Sequence, residues 1–230
     1  MHQHQFTPSE HEGYEACTCG TYHSTRLLHR EELYEDNYWN GGTRSLMKDQ
    51  VYNLTETESC GISKVDKIMR YLPVKGDTLE IGCAPGELMR RLLEKGHYVV
   101  GIEPDIKNIP GIKKIAGFTS EIIHGYFPDC MVGKAGFIFD YVIAMDVLEH
   151  VEDYKGFIHA AWSLLRPKGR FIFMSPVIYD DGLYRERDMV PLEHAWIFSQ
   201  EYLRDYLGEK FSEVIFDRWI VGHEIIVCIK

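Results

Sequence analysis

From about residue 62 to the C-terminus the apolar positions switch repeatedly between the spacing of a helix face and that of a strand, whereas the first 40 residues hold neither for long. The spacing predicts a helix over 63–71, stopped by Pro73 and Gly76. A short buried strand over 78–81, a helix over 86–95 with Leu88, Leu92 and Leu93 on one face, and a strand over 98–102 follow. A weaker helix over 107–116 leads to strands over 121–124 and 139–144. In 153–165, Phe157, Ile158, Ala161, Leu164 and Leu165 stand at helical spacing, and Arg166-Pro-Lys-Gly169 reads as the stop before a strand over 170–174. After a 22-residue connection, 175–196, a capped helix over 199–207 closes at Gly208. Strand-like runs over 214–218 and 224–229 then meet at Gly222 and His223, a junction short enough for an antiparallel hairpin. Strands alternating with helices imply an α/β fold: a mostly parallel sheet covered on both faces, with one reversed strand at the end.

The N-terminal segment reads differently. It holds His2, His4, His11, His23 and His29 and two cysteines, and it reads as an arm followed by a short helix over 30–38 that Gly41-Gly42 breaks. The chain therefore divides into an arm and cap segment, 1–61, and a sheet domain, 62–230.

Composition narrows the function. With 230 residues, 45% of them hydrophobic, the chain is long enough to bury roughly 70% of its unfolded surface without a disulfide scaffold. Its apolar runs fall far short of the ~20 residues of a membrane span. The first residues lack the basic and apolar regions of a signal peptide, so a cytoplasmic location with reduced cysteines is expected. A net charge of −10 argues against a nucleic-acid partner and for a small molecule. Composition leaves the oligomeric state open.

The chemistry concentrates where the strand over 78–81 turns into the following helix. Gly82 and Gly86 permit the positive φ, or the close ligand approach, that such a turn demands, Ala84 is small, and the helix start offers free N–H groups. About 20 residues on, the next strand ends Gly101-Ile-Glu-Pro-Asp105, where a carboxylate can accept both hydroxyls of a ribose. The order Glu80, Gly82, Ala84, Gly86 places an acid before the first glycine. That acid suits a ligand bearing an ammonium group better than the phosphates of a dinucleotide.

These segments resemble the class I S-adenosylmethionine-dependent methyltransferases. Leu79-Glu-Ile-Gly-Cys-Ala-Pro-Gly86 is similar to the family's first motif and Gly101-Ile-Glu-Pro-Asp105 to its second. Phe139-Asp-Tyr-Val-Ile-Ala-Met-Asp-Val-Leu-Glu-His-Val151 is similar to its fourth-strand motif, and Leu165-Arg-Pro-Lys-Gly-Arg-Phe171 to the lead into the fifth strand. The resemblance covers 63–230 and implies a Rossmann-like, seven-stranded, mostly parallel sheet with a reversed C-terminal strand. It implies S-adenosylmethionine as cofactor, with Glu80 and the Gly82, Ala84, Gly86 turn on its methionine end, Glu103 and the adjoining Pro104 at the ribose, and Met145 and Asp146 lining the crevice. For adenine it implies Tyr126 or Phe127 packing on the ring, or Asp129 reaching back. Arg44 is placed to pair with the methionine carboxylate.

An already activated methyl group needs an aligned acceptor, excluded water and, for a hydroxyl, a base. His150 and His194 are the candidate bases, since an imidazole titrates near about 6.5. The tyrosine-rich connection over 175–196 reads as a substrate lid or a surface loop. The reading is methyl transfer to a hydroxyl or amine of a small polar metabolite, a sugar being one such acceptor. Its alternatives are a quinone or phenolic O-methyltransferase, and a catalytically silent cofactor-binding subunit that regulates a partner. In the arm, Cys17, Cys19 and His23 have the spacing of a metal half-site and resemble one knuckle of a zinc ribbon. The two-residue spacer and a second cysteine pair are missing, so the arm reads as polar with free thiols and no metal ligand is assigned.

Overall fold

The computed structural model describes residues 3–30, 63–134, 136–220 and 222–230. The strands are β1 (Phe6–Pro8), β2 (Tyr14–Cys17), β3 (Tyr22–Ser24), β4 (Asp77–Ile81), β5 (Tyr98–Glu103), β6 (Glu121–His124), β7 (Phe139–Met145), β8 (Leu165–Ile178), β9 (Trp196–Ser199), β10 (Glu213–Ile220) and β11 (His223–Ile229). The α-helices are α1 (Lys64–Met69), α2 (Glu87–Glu94), α3 (Ile109–Ala116), α4 (Tyr154–Ser163) and α5 (Gln200–Gly208).

Seven of these strands build the expected sheet in the order β6-β5-β4-β7-β8-β11-β10. β4, β5, β6, β7 and β8 are mutually parallel, and β11 runs antiparallel to both β8 and β10. Strand side chains alternate between faces, so the sheet feeds two cores. Val142, Ala144, Phe171 and Phe173 pack with Phe157, Ile158, Leu203 and Leu207 of α4 and α5. Their neighbours Ile143, Ile172, Met174 and Ile225 pack with Ile68, Leu88 and Leu92 of α1 and α2. Ser63 caps α1 by accepting from Asp66 N–H, and Ser199 caps α5 by accepting from Tyr202 N–H.

Two expectations are corrected. β8 spans 14 residues, not the short strand over 170–174. The Arg166–Gly169 stretch is an irregularity inside it: Phe139 faces Leu165, Tyr141 faces Arg170, and Lys168 has φ 65°. Pro176 sits opposite His223 at the end of the β11 register, and Val177 then pairs with Phe198 of β9. The long connection is therefore shorter than it reads, running from Tyr179 to Ala195, and it is drawn into the fold: Tyr179, Asp188, Glu193, His194 and Ala195 are all buried.

The N-terminal arm is the second correction. β1, β2 and β3 form an antiparallel meander, and Tyr22 and His23 of β3 pair with Ile197 and Trp196 of β9, which extends the sheet. The docking is anchored by Ser24, whose N–H donates to Ala195 O at 2.9 Å, and by Tyr14, whose hydroxyl donates to His194 O at 3.3 Å. The expected helix over 30–38 lies largely outside the described residues, and Gly41-Gly42 and Arg44 lie wholly outside them.

Gly86, the cap of α2, has φ 101°, and a Cβ there would lie 3.0 Å from the backbone oxygen of Ile112. Left-handed backbone and a backbone clash both oppose a side chain. Gly86→Ala is expected to lower the unfolding free energy by about 2 to 3 kcal/mol. A urea midpoint unchanged from the parent would overturn this account of the turn.

Candidate active site

The carboxyl ends of β4, β5 and β7 meet where the chain leaves β4 with neighbours on either side, the crevice position in open α/β sheets. The turn after β4 is tied to β5, because Gly82 N–H and Cys83 N–H both donate to Ile102 O, at 2.9 and 3.0 Å. Gly82 has φ 71°, and a Cβ on it would lie 2.7 Å from Val147 Cγ2, so the segment after β7 lies directly against this turn.

Two buried carboxyls flank the turn. Glu103 is 2% exposed and accepts from Asn108 Nδ2 and Asp105 N–H on Oε1, both at 3.1 Å, and from Ala84 N–H on Oε2 at 3.3 Å. Burial pushes its carboxyl up to about 7, against the pull of those three donors. Glu80 is 3% exposed, and among the described residues its Oε2 has no hydrogen-bond partner. Burial raises its carboxyl well above the ordinary range, and the neighbouring Glu103 adds to the rise. A ligand bringing positive charge and hydroxyl donors would satisfy Glu80 and relieve the repulsion, so the residues present fit S-adenosylmethionine. Pro104, on the same β5 end, offers its carbonyl to His124 Nε2 at 3.0 Å.

At the end of β7, Met145 is half-buried, and Asp146, with φ 52°, is paired with Lys64 of α1. Asp146 also faces His223 Nε2 at 3.8 Å, and His223 Nδ1 lies 3.2 Å from Asp188, so a chain of polar side chains runs from α1 to the Tyr179–Ala195 connection. Of the three adenine candidates, Phe127 is packed in the core against Phe157, and Asp129 is exposed and paired with Arg30 at 2.9 Å. Tyr126 is half-buried with the Arg30 guanidinium 4.8 Å from its ring centroid.

His150 and His194 stand together, ring centroids 4.8 Å apart and edge to face. His150 Nδ1 lies 2.8 Å from Glu193 O and His194 Nδ1 lies 2.7 Å from Asp188 O. A carbonyl only accepts, so each Nδ1 carries the proton and each Nε2 is the basic nitrogen. Glu149, 1% exposed, joins them: the ligand atoms of Glu149, His150 and His194 lie within 4.8 Å of one another. Such a set can accept a proton from a hydroxyl or hold a metal ion.

The sequence brings the two histidines forward singly and Asp188 only as part of the long connection, and it gives no prominence to Glu149, Glu193, Asn108, Lys64 or His223. One signal was available: the triplet Leu-Glu-His occurs twice, at 148–150 and 192–194, and the fold brings both copies to one place. Asn108 and Lys64 carry no such mark, since their partners lie on other elements.

A family model described as a methyltransferase domain matches residues 56–210. The ubiquinone biosynthesis O-methyltransferase of Methylobacterium sp. (strain 4-46) is 37% identical over 102 residues, 43% of this chain and 41% of that protein. The protein of the same name from Rhizobium johnstonii is 35% identical over 108 residues, 46% and 43% of the two chains. The match thus spans less than half the length of these curated relatives. Among solved structures, the magnesium protoporphyrin IX methyltransferase of Synechocystis PCC 6803 with bound S-adenosylmethionine superposes with a TM-score of 0.52 at 18% identity, covering 72% of this chain and 77% of that one. That likeness concerns the fold.

Proposed function

This chain belongs to the methyltransferase domain family, and from that premise we propose that it transfers the methyl group of S-adenosylmethionine to a hydroxyl on a small phenolic or quinol-type acceptor. The observation that carries this reading is the pair His150 and His194, each with Nδ1 held by a backbone carbonyl and Nε2 left basic, beside the segment that abuts the cofactor turn. The names of the matching relatives support a hydroxyl acceptor of this class. No described helix is long and apolar enough to cross a membrane.

The sulfonium supplies an activated methyl group. The chain's own residues do the rest. Glu80 and the turn at Gly82, Ala84 and Gly86 would hold the methionine end, and Glu103, in its ionised form, would accept from the ribose hydroxyls beside Pro104. Tyr126 offers its ring at the adenine edge, and Met145 and Asp146 wall the crevice. His150 or His194 would take the acceptor's hydroxyl proton on Nε2, which is worth about 10² to 10⁴ in rate. Packing of the Tyr179–Ala195 connection under β1 to β3 keeps water from that proton.

In a second reading, favoured by the proximity of Glu149 to both imidazoles, the same three groups bind a divalent cation. Turnover abolished by a chelator and restored by Mg²⁺ or Zn²⁺ would select it.

The test is incubation with labelled S-adenosylmethionine and a panel of catechols, quinols, sugars and amines. Label is expected on a phenolic or quinol oxygen. Label only on sugars or amines would overturn the acceptor class, and no cofactor binding by calorimetry would overturn the whole reading.

A further inference from the structure

We infer that His4, Cys17 and Cys19 form a zinc site that clasps the N-terminal meander together, with His4 set against Tyr154 and Tyr202 of the body of the protein. Their ligand atoms lie within 4.8 Å of one another. The ligand set differs from the half-site that spacing suggests. His23 faces another way, with Nδ1 3.1 Å from Glu15 Oε1 and its ring 4.5 Å from that of Trp196. His4, fifteen residues before Cys19 and ahead of β1, takes its place.

Local geometry prepares all three groups. Cys17 ends β2, and the chain turns tightly through Thr18, Cys19 and Gly20: Gly20 N–H donates to Cys17 O and Cys17 N–H to Thr21 O, both at 2.9 Å. Gly20 has φ 79°, the left-handed value that lets the turn close and bring both sulfurs to one side. The His4 ring is clamped by Tyr202 and Phe6, with centroids 4.5 and 5.3 Å away. Its Nε2 lies 3.1 Å from the Tyr154 hydroxyl, itself hydrogen-bonded to Tyr202. With Nε2–H donating to Tyr154, Nδ1 becomes the ligand nitrogen, an outer-sphere arrangement that fixes tautomer and ring angle together.

Nδ1 already stands 3.4 Å from Cys19 Sγ. In a tetrahedral zinc site, with bonds of about 2.3 Å to sulfur and about 2.0–2.1 Å to nitrogen, that edge measures about 3.6 Å. Two thiols and an imidazole select a soft or borderline ion such as Zn²⁺ over Mg²⁺ or Ca²⁺. Beside Cys19 opens a cavity lined by the acids Glu201, Asp205 and Glu209, which attracts a hydrated cation and leaves room for water as fourth ligand. On binding, each cysteine S–H gives its proton to solvent and each sulfur forms one bond to the ion. The clasp has reach: β2 and β3 hold the segment that carries His194, through Tyr14 and Ser24.

The test uses the full chain, stripped of metal with a chelator and titrated with Co²⁺ and then Zn²⁺. One equivalent of Co²⁺ is expected to give thiolate-to-cobalt charge-transfer absorption, and Zn²⁺ to bleach it. In the unmutated protein Zn²⁺ should protect two thiols from alkylation, identified by mass spectrometry as Cys17 and Cys19. His4→Ala and Cys19→Ser should lose the thiolate spectrum, while His23→Ala should keep it. Absence of metal binding, a cobalt spectrum without thiolate bands, or unprotected Cys17 and Cys19 would overturn the site. The last measurement holds whether or not the variants fold.

Discussion

His194→Ala is expected to lower kcat for methyl transfer by about 10² to 10⁴ while leaving the Kd for S-adenosylmethionine within about twofold. The imidazole is 2% exposed and fixed by Asp188 O, so its Nε2 has one orientation, and its ring lies edge to face against that of His150. His150→Ala should fall in the same range. Because the rings are in contact, the double variant should lose little more than the worse single one, the mark of residues acting as a unit. Burial makes truncation a stability risk, so His194→Gln and a melting curve accompany the alanine variant. A fall in melting temperature that fully accounts for the lost activity, or an unchanged kcat, would return the pair to a packing role.

The second large effect concerns Glu103. Its carboxylate would accept two hydroxyls from the cofactor ribose, and a charged hydrogen-bonded group contributes about 1.5–3 kcal/mol, so Glu103→Ala should weaken binding about 10- to 100-fold. Glu103→Gln keeps the shape and tests the charge. The pH dependence carries two opposite signs. Burial raises this carboxyl from 4.5 to about 7, so the folded, ligand-free protein holds a proton there that the unfolded chain has lost. That contribution to stability is fully present below the unfolded value and disappears as pH rises through about 7. Glu224, also pushed up to about 7 by burial, acts in the same direction. Cofactor affinity runs the other way: ribose hydroxyls need the ionised carboxylate, so binding should weaken towards tenfold per unit as pH drops below about 7. In Glu103→Gln that part of the affinity slope should vanish. A parent affinity flat from pH 5 to 8 would remove Glu103 from the ribose role.

Both effects rest on residues that the sequence exposed to different degrees. Glu80, Gly82, Gly86 and Glu103 were legible because a strand turning sharply into a helix needs special backbone positions at set spacings, and such local demands are written in neighbouring letters. The parallel strands and the β10–β11 hairpin were legible for the same reason, through short-range periodicity. The ends of β8 and the meander were not. β1, β2 and β3 have three or four residues each with no helices between them to frame an alternation, and β3 holds together by pairing with β9 across more than 170 residues of chain.

What the sequence determined by itself is therefore the class of fold, the family resemblance and the glycine turn after β4, all consequences of contacts close along the chain. Only the tertiary structure decided that His150 and His194 face each other, that Asn108 bonds to Glu103 and Lys64 pairs with Asp146, and that His4 replaces His23 beside Cys17 and Cys19. Spacing constrains neighbours in sequence. It does not constrain where a loop after one strand meets a loop after the next, because packing of the whole core, summed over both faces of the sheet, sets that distance.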